Sequence, residues 1–372
     1  MRKYLLSLAV LGSALFTACS SDNDNTTQTY PVAMTSGVYV VGSGNLSNGI
    51  DGNLTYYDYT TKGTTKNIFR TTNGMSLGKT ANDALRYGDK FYIVVDGENS
   101  VFVTDAKTLR VIHRINMTDA TILGETQGIS PRRITAADDK IYVSTFGGYV
   151  AAIDTVNFAL AEKYEAGSYS EGLVVNNGVL YVANSDYGNG NASISVINLN
   201  TKATQKLTDE NIRNPQEIAV AGSDIYFLDW GQYGAAPTYA QENAGVYRIS
   251  SDGVRLVIPN ATGMTCLNTK IYTFNDPYGA VGGCTYSVYD ILSNYLYNIN
   301  IEGIDSPAAI GIDPITNYLF IASRNLEGGY PSYSTDGYVN FYDAAFTKKG
   351  SFNCGVGPTR IVFNTGVNYV TY

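Results

Sequence analysis

The sequence predicts an all-β chain, a seven-bladed β-propeller of four-stranded blades, and three observations carry that prediction. First, a motif built on a central aromatic returns eight times: Val38-Tyr39-Val40, Phe91-Tyr92-Ile93, Ile141-Tyr142-Val143, Leu180-Tyr181-Val182, Ile225-Tyr226-Phe227, Ile271-Tyr272-Thr273, Leu319-Phe320-Ile321 and Asn368-Tyr369-Val370. Second, successive central aromatics lie 39 to 53 residues apart, the spacing of propeller blades. Third, the apolar alternation inside each interval is short and bounded by turn residues, with no convincing helical period.

Each interval reads as four strands. Around Tyr142 they are residues 133–137, 140–146, 149–154 and 160–164, with Asp138-Asp139 and Gly147-Gly148 as turns. The order repeats at 216–220, 224–229, 244–249 and 254–258. The strand before the motif opens with proline in Pro131-Arg132-Arg133-Ile134, Pro215-Gln216-Glu217-Ile218, Pro307-Ala308-Ala309-Ile310 and Pro358-Thr359-Arg360-Ile361. Proline is tolerated at a strand's first residue, where no ladder donor is lost.

The chain ends predict how the ring closes. The first repeat begins at its second strand, near Val38, and lacks a first strand. Residues 359–364 supply a spare one, and joining the two removes the open sheet edges. Asn368–Tyr372 then reads as a fifth edge strand or the stub of an eighth blade. A pair of β-sandwiches leaves the period unexplained. Trp230 is the only tryptophan, so the chain has no WD repeat.

The N-terminus is a targeting segment: basic Arg2 and Lys3, an apolar stretch over 5–16, then Leu15-Phe16-Thr17-Ala18-Cys19. This resembles a bacterial lipobox, in which Cys19 carries lipid; an ordinary signal peptide with an incidental cysteine is the alternative. The apolar stretch is shorter than the ~20 residues of a spanning helix. The expected organisation is a signal peptide over 1–18, a flexible acidic tether over 19–36 and a propeller over 37–372. The run Ser20-Ser21-Asp22-Asn23-Asp24-Asn25 resembles the surface-export signal of Bacteroides lipoproteins. It implies a lipid-anchored protein on the outer membrane facing the cell surface, against a plainer periplasm-facing lipoprotein.

Composition narrows the chemistry. A net charge of −8 and a pI near 4.8 argue against nucleic acid and against a cationic membrane face. The 31 tyrosines suit both a β core and a contact surface. Beyond Cys19 the cysteines are Cys266, Cys284 and Cys354, without metal-type spacing; Cys266 and Cys284 are the nearest pair should a disulfide form. The lone histidine, His113, falls on a predicted outer strand and reads as solvent-facing, so a Ser-His-Asp site and a histidine metal site are both ruled out. No catalytic residue, metal or cofactor is expected, and the chain reads as a binding protein rather than an enzyme. Asp83 and Glu171 lie at the start of first strands and suit acid–base work or, more readily, hydrogen bonding to a ligand. Residues 186–191 have the composition of a weak calcium loop but read as an ordinary one.

The loops point to the site. Loops between second and third strands share one propeller face with the connections between blades. Here they are long and aromatic, with Tyr187, Trp230, Tyr233, Tyr278 and Arg324 as expected ligand contacts. The opposite face has tight polar turns such as Asp138-Asp139. Asn82, Arg132, Glu171 and Gln216 each follow the proline-equivalent position and are expected nearer the channel mouth, completing a polar centre ringed by aromatics.

The lipobox, acidic tether and repeats such as Ile141-Tyr142-Val143 and Leu180-Tyr181-Val182-Ala183-Asn184-Ser185, together with the proline pattern, resemble the YncE-like propellers of Bacteroidetes surface lipoproteins and, among them, the cobalamin-binding BtuG family. The resemblance implies capture of cobalamin or another corrinoid and its delivery to a TonB-dependent transporter of the BtuB type. It carries over no site residues. A glycan-binding or glycan-cleaving propeller and a protein-interaction scaffold fit the same residues.

Overall fold

The computed structural model describes residues 29–237, 239–278 and 283–371. The propeller occupies residues 34–366. Outside it, residues 29–33 and 367–371 are strand.

Seven antiparallel four-stranded sheets make the blades. Blade 2 runs Ala81–Tyr87, Lys90–Val95, Ser100–Asp105 and Val111–Asn116 from its inner to its outer strand. Blades 3 to 7 begin at Pro131, Ser170, Pro215, Gly263 and Ser306 and repeat that order. The expected strands are present: Tyr149–Asp154 and Asp224–Asp229 match to the residue, and the others shift at their ends. A helix over Ile68–Asn73 between blades 1 and 2 was not anticipated.

Blade 1 is built from both chain ends. Its inner strand is Pro358–Thr371, followed outward by Thr29–Gly42, Asn53–Asp58 and Thr64–Thr65. The expected closure is therefore observed. The alternatives for Asn368–Tyr372 are both corrected: residues 358–371 form one continuous strand that runs through Gly366 without a turn, and Tyr372 lies outside the described residues. Ser36 Oγ donates to the Asn364 carbonyl at 3.1 Å, and Ser43 N to the Gly357 carbonyl at 2.7 Å. A buried carboxylate locks the seam from blade 7. Asp313 accepts from Thr35 Oγ1 at 2.7 Å and Tyr59 OH at 3.0 Å, while its own turn donates the Ile315 and Thr316 N–H groups.

The core explains the repeat. Apolar residues of facing blades interdigitate, as where Tyr92, Val94, Val101 and Val103 meet Ile141, Val143, Ala151 and Ile153. Alternate residues of each motif point to opposite faces of their sheet, so each blade packs against both neighbours. The central aromatics Tyr39, Tyr92, Tyr142, Tyr226 and Phe320 are buried in these wedges, and Tyr39 packs 4.8 Å from Phe91 of the next blade.

Cys266, Cys284 and Cys354 are all free thiols, so the Cys266–Cys284 bridge is absent. His113 is exposed on the outer strand of blade 2, as expected, and stacks on Phe158 at 4.9 Å. No helix among the described residues is long and apolar enough to cross a membrane. Cys19, Asp22 and Asp24 lie outside the described residues.

Candidate functional site

The loops divide the two faces unequally. On one face, blade 5 inserts a small hairpin, Gln232–Tyr233 paired with Gln241–Glu242, and blade 7 inserts another, Leu326–Glu327 paired with Tyr330–Pro331. The opposite face turns tightly, with Asp138 and Asp139 both at positive φ. Exposed large apolar side chains follow the loops. Tyr187 is 70% exposed, Tyr278 63%, Tyr233 49% and Trp230 37%, and Tyr169, Tyr239, Tyr330 and Tyr333 join them on the long-loop face. Long loops on a rigid scaffold, carrying exposed aromatics, mark a contact surface.

These side chains touch across blades. Tyr187 of blade 4 lies 5.3 Å from Tyr169 and 6.3 Å from Phe146 of blade 3. Tyr233 of blade 5 meets Tyr278 of blade 6 edge to face at 6.1 Å. Burial raises the Tyr233 phenol above its ordinary range, and the nearby Tyr187 and Tyr278 phenols add to the shift. Blades 4, 5 and 6 thus contribute to one cluster. Gln241 ties the hairpin down: its Nε2 donates to the Trp230 carbonyl at 2.8 Å, and its Oε1 accepts from Tyr278 N at 3.3 Å. Trp230 Nε1 donates to the Thr262 carbonyl at 3.0 Å, which leaves the ring on the surface.

The backbone beneath the tyrosines is strained. Tyr169, Asp186 and Tyr187 all hold left-handed backbone, at φ of 53°, 47° and 55°. Such conformations are uncommon for bulky residues and cluster at ligand clamps. The loop tolerates them because Asp186 is fixed: its Oδ2 accepts from Asn191 N and Nδ2 at 3.0 and 3.1 Å. No group of acidic, histidine or cysteine side chains suited to a metal occurs among the described residues, and residues 186–191 are a self-bonded loop.

The four residues expected at the channel mouth do share one place. In blades 2, 3, 4 and 5 the ladder between first and second strands slips by one residue just after its opening pair, and in blade 7 after its second pair. Asn82, Arg132, Glu171 and Gln216 sit in those bulges, which re-aim a side chain away from the pleat. The aim is inward, however. Asn82, Glu171 and Gln216 are buried, and their polar atoms are taken by neighbours. Arg132 Nε and Nη2 reach the two Glu171 oxygens at 3.0 and 3.1 Å, and Nη1 reaches Asp96 Oδ2 at 2.7 Å. Asn82 Nδ2 completes that group at 3.4 Å from Asp96. Gln216 stands apart, donating to Asn214 Oδ1 at 2.6 Å. In the structure Asn82, Arg132, Glu171 and Gln216 form a buried polar layer beneath the aromatic loops.

Burial works against the charge on Arg132, yet Glu171 and Asp96 together raise its basicity. Burial raises the Glu171 carboxyl, with Arg132 pulling it down. Above this group the Arg132 guanidinium lies 4.3 Å over the Phe146 ring, joining foundation to aromatic cluster. Asp83, the other half of the acid–base pair, is also buried and held by Arg360 Nε at 2.9 Å and the Ile134 N–H at 3.1 Å. Neither carboxylate presents a free oxygen to a proton-transfer partner in this arrangement. Below the network the central channel, about 440 Å³, is lined by apolar first-strand residues such as Leu85, Leu173, Ile218 and Ile312 together with the charged Asp83, Arg133, Glu217 and Arg360.

Phe146, Tyr169 and Asp96 were missed by sequence reasoning. They sit in short turns and a blade-to-blade connection, and the available signal was that such connections share the long-loop face.

A family model described as a domain of unknown function, DUF5074, matches residues 36–226, just over half of the 372-residue chain. The chain belongs to the DUF5074 family. The DUF5074 match runs from blade 1 into blade 5 and includes Arg132, Phe146, Tyr169, Glu171 and Tyr187. No curated protein matches the chain in sequence. Among solved structures it is similar to hydrazine synthase of Kuenenia stuttgartiensis (12% identity, TM-score 0.57, covering 78% of this chain and 95% of that one). It is also similar to a Bacteroides fragilis protein assigned as a 6-phosphogluconolactonase (12%, 0.56, 88% and 97%) and a Bacteroides uniformis protein with the same assignment (10%, 0.55, 89% and 100%). At these identities the likeness is one of fold.

Proposed function

We propose that this DUF5074 propeller is a non-enzymatic capture protein whose long-loop face binds a small molecule, with a corrinoid as the first candidate. The supporting observation is the cluster of Tyr187, Tyr233 and Tyr278 across blades 4 to 6. Rigid aromatic surface with polar neighbours is the usual make-up of a ligand face. The corrinoid rests on the resemblance of the repeats and leader to YncE-like, BtuG-type surface lipoproteins. The same resemblance supports lipid attachment at Cys19, display at the outer surface and transfer of the ligand to a TonB-dependent transporter. The non-enzymatic reading is supported by the fully engaged carboxylates of Asp83 and Glu171.

Calorimetry on residues 30–372 with cyanocobalamin tests this reading, alongside a glycan array and a transporter pull-down. Aromatic anchors contribute ~2 kcal/mol or more each, so Trp230→Ala is expected to weaken binding ~30-fold, at 1.4 kcal/mol per tenfold. Asp139→Ala on the opposite face is expected to leave affinity unchanged. Absence of cobalamin binding at micromolar concentration overturns the corrinoid assignment, and glycan binding replaces it. Loss of binding in Asp139→Ala with none in Trp230→Ala moves the site to the other face.

A further inference from the structure

The arginines of the long-loop face are not equivalent. Arg132 is saturated by two carboxylates. Arg324, at the end of the second strand of blade 7, has no carboxylate within ion-pair distance among the described residues. Its guanidinium lies 5.0 Å from the centre of the Tyr333 ring, and its Nε is buried without an acceptor. Two other arginines also have an orphaned buried Nε, but each is engaged elsewhere: Arg86 through Nη1 on the Thr365 carbonyl, Arg248 through Nη2 on Asp224 at 2.9 Å. Arg324 has no such second bond among the described residues.

A buried charged donor without an acceptor is costly. A guanidinium that lies over an aromatic ring and forms no hydrogen bond to a described residue leaves its two Nη groups as donors in the geometry that receives an oxyanion. Arg324 is partly exposed and Tyr333 more than half exposed, so the Nη groups open toward the long-loop face that also carries Tyr187 and Tyr278. The blade 7 loop is also held in place: Asn45 Nδ2 donates to the Tyr333 carbonyl at 2.8 Å, and Asn325 Nδ2 to the Asp336 carbonyl at 2.7 Å.

We propose that Arg324 is an oxyanion receptor, so that the ligand of this face carries a phosphate or carboxylate. This rests on the reading of the long-loop face as the binding face but not on the corrinoid. The test uses inorganic phosphate and, separately, acetate at constant ionic strength. Arginine Nε–H resonances of residues 30–372 are followed by NMR, with the Arg324 signal assigned from its loss in Arg324→Gln. The expected result is a saturable shift of the Arg324 signal with one or both anions, and a still Arg132 signal. An unmoved Arg324 signal, or one moved equally by chloride, overturns the proposal. The corrinoid is judged apart from it, by cyanocobalamin binding to wild type. A phosphate response without cobalamin binding leaves the receptor standing and removes the corrinoid; cobalamin binding without an anion response does the reverse.

Discussion

Tyr169 and Tyr187 pack ring against ring at 5.3 Å, and both do so from left-handed backbone. A strained backbone beneath an exposed side chain separates stability from function. Glycine adopts that conformation without the Cβ clash, which is worth roughly 1–2 kcal/mol per residue. Tyr187→Gly is therefore expected to hold or raise the thermal midpoint while weakening ligand binding at least tenfold. Calorimetric unfolding and a cyanocobalamin titration on the same sample check the pair. A variant that loses stability and keeps affinity shows the tyrosine to be structural.

The Arg132–Glu171 pair links blades 3 and 4 beneath the aromatic cluster. Removing one partner strands the other charge in a buried place, at ~3–5 kcal/mol, whereas replacing both with apolar residues of similar volume is often close to neutral. Arg132→Met is expected to lower stability by about that amount, because it leaves both Glu171 and Asp96 without their cation, and Arg132→Met with Glu171→Met by less, only Asp96 then being unpaired. Urea unfolding of the two variants is the measurement, and equal losses contradict this view of the network.

Asp229, at the end of the second strand of blade 5, is fully buried and accepts the backbone N–H groups of Arg213, Asn214 and Gly231 at 2.7 to 3.1 Å. Burial pushes its carboxyl up to about 6, against the pull of those donors. An aspartate in the unfolded chain titrates near 3.9. The folded state therefore holds the proton more tightly. This group's contribution is largest below pH ~4, is lost as pH rises toward 6, and is flat above that. The difference in unfolding free energy between wild type and Asp229→Asn, measured from pH 4 to 7, is expected to follow that fall. A pH-independent difference rejects it.

Tyr226 is fully buried between blades 5 and 6, and its hydroxyl has no partner among the described residues. Burial pushes its phenol up to about 12. Losing a buried, unpaired hydroxyl removes a desolvation penalty of roughly 1–3 kcal/mol. Tyr226→Phe is expected to keep or raise the thermal midpoint, and a clear drop in differential scanning calorimetry means that the hydroxyl has a partner.

The blades were legible because packing between sheets imposes its period on the chain. An aromatic such as Tyr92 or Phe320 packs between blades, so the first seven copies of the motif count the blades, and the eighth, at Tyr369, falls in the inner strand of blade 1. The Ile68–Asn73 helix was invisible because six residues are too few to display a 3.6-residue period. The aromatic loops were legible as residues too long and too apolar for turns. Their foundation was not. Asn82, Arg132, Glu171 and Gln216 were recognised as equivalent, but whether a side chain at a bulge faces solvent or a neighbour depends on which blade stands beside it. Asp96 and Phe146 show this: each lies in an unremarkable turn, and each gains its meaning from Arg132.

The innermost strand of blade 1 has a consequence for how this protein is made. Ser43 and Gly357, bonded to each other at the seam, are 314 residues apart. During synthesis the first blade must wait, missing its inner strand, until the strand that begins at Pro358 leaves the ribosome. Until then two sheet edges remain unprotected, and unprotected edges recruit other chains. A nascent chain that stalls or is cut before Pro358 is thus left open rather than merely shortened.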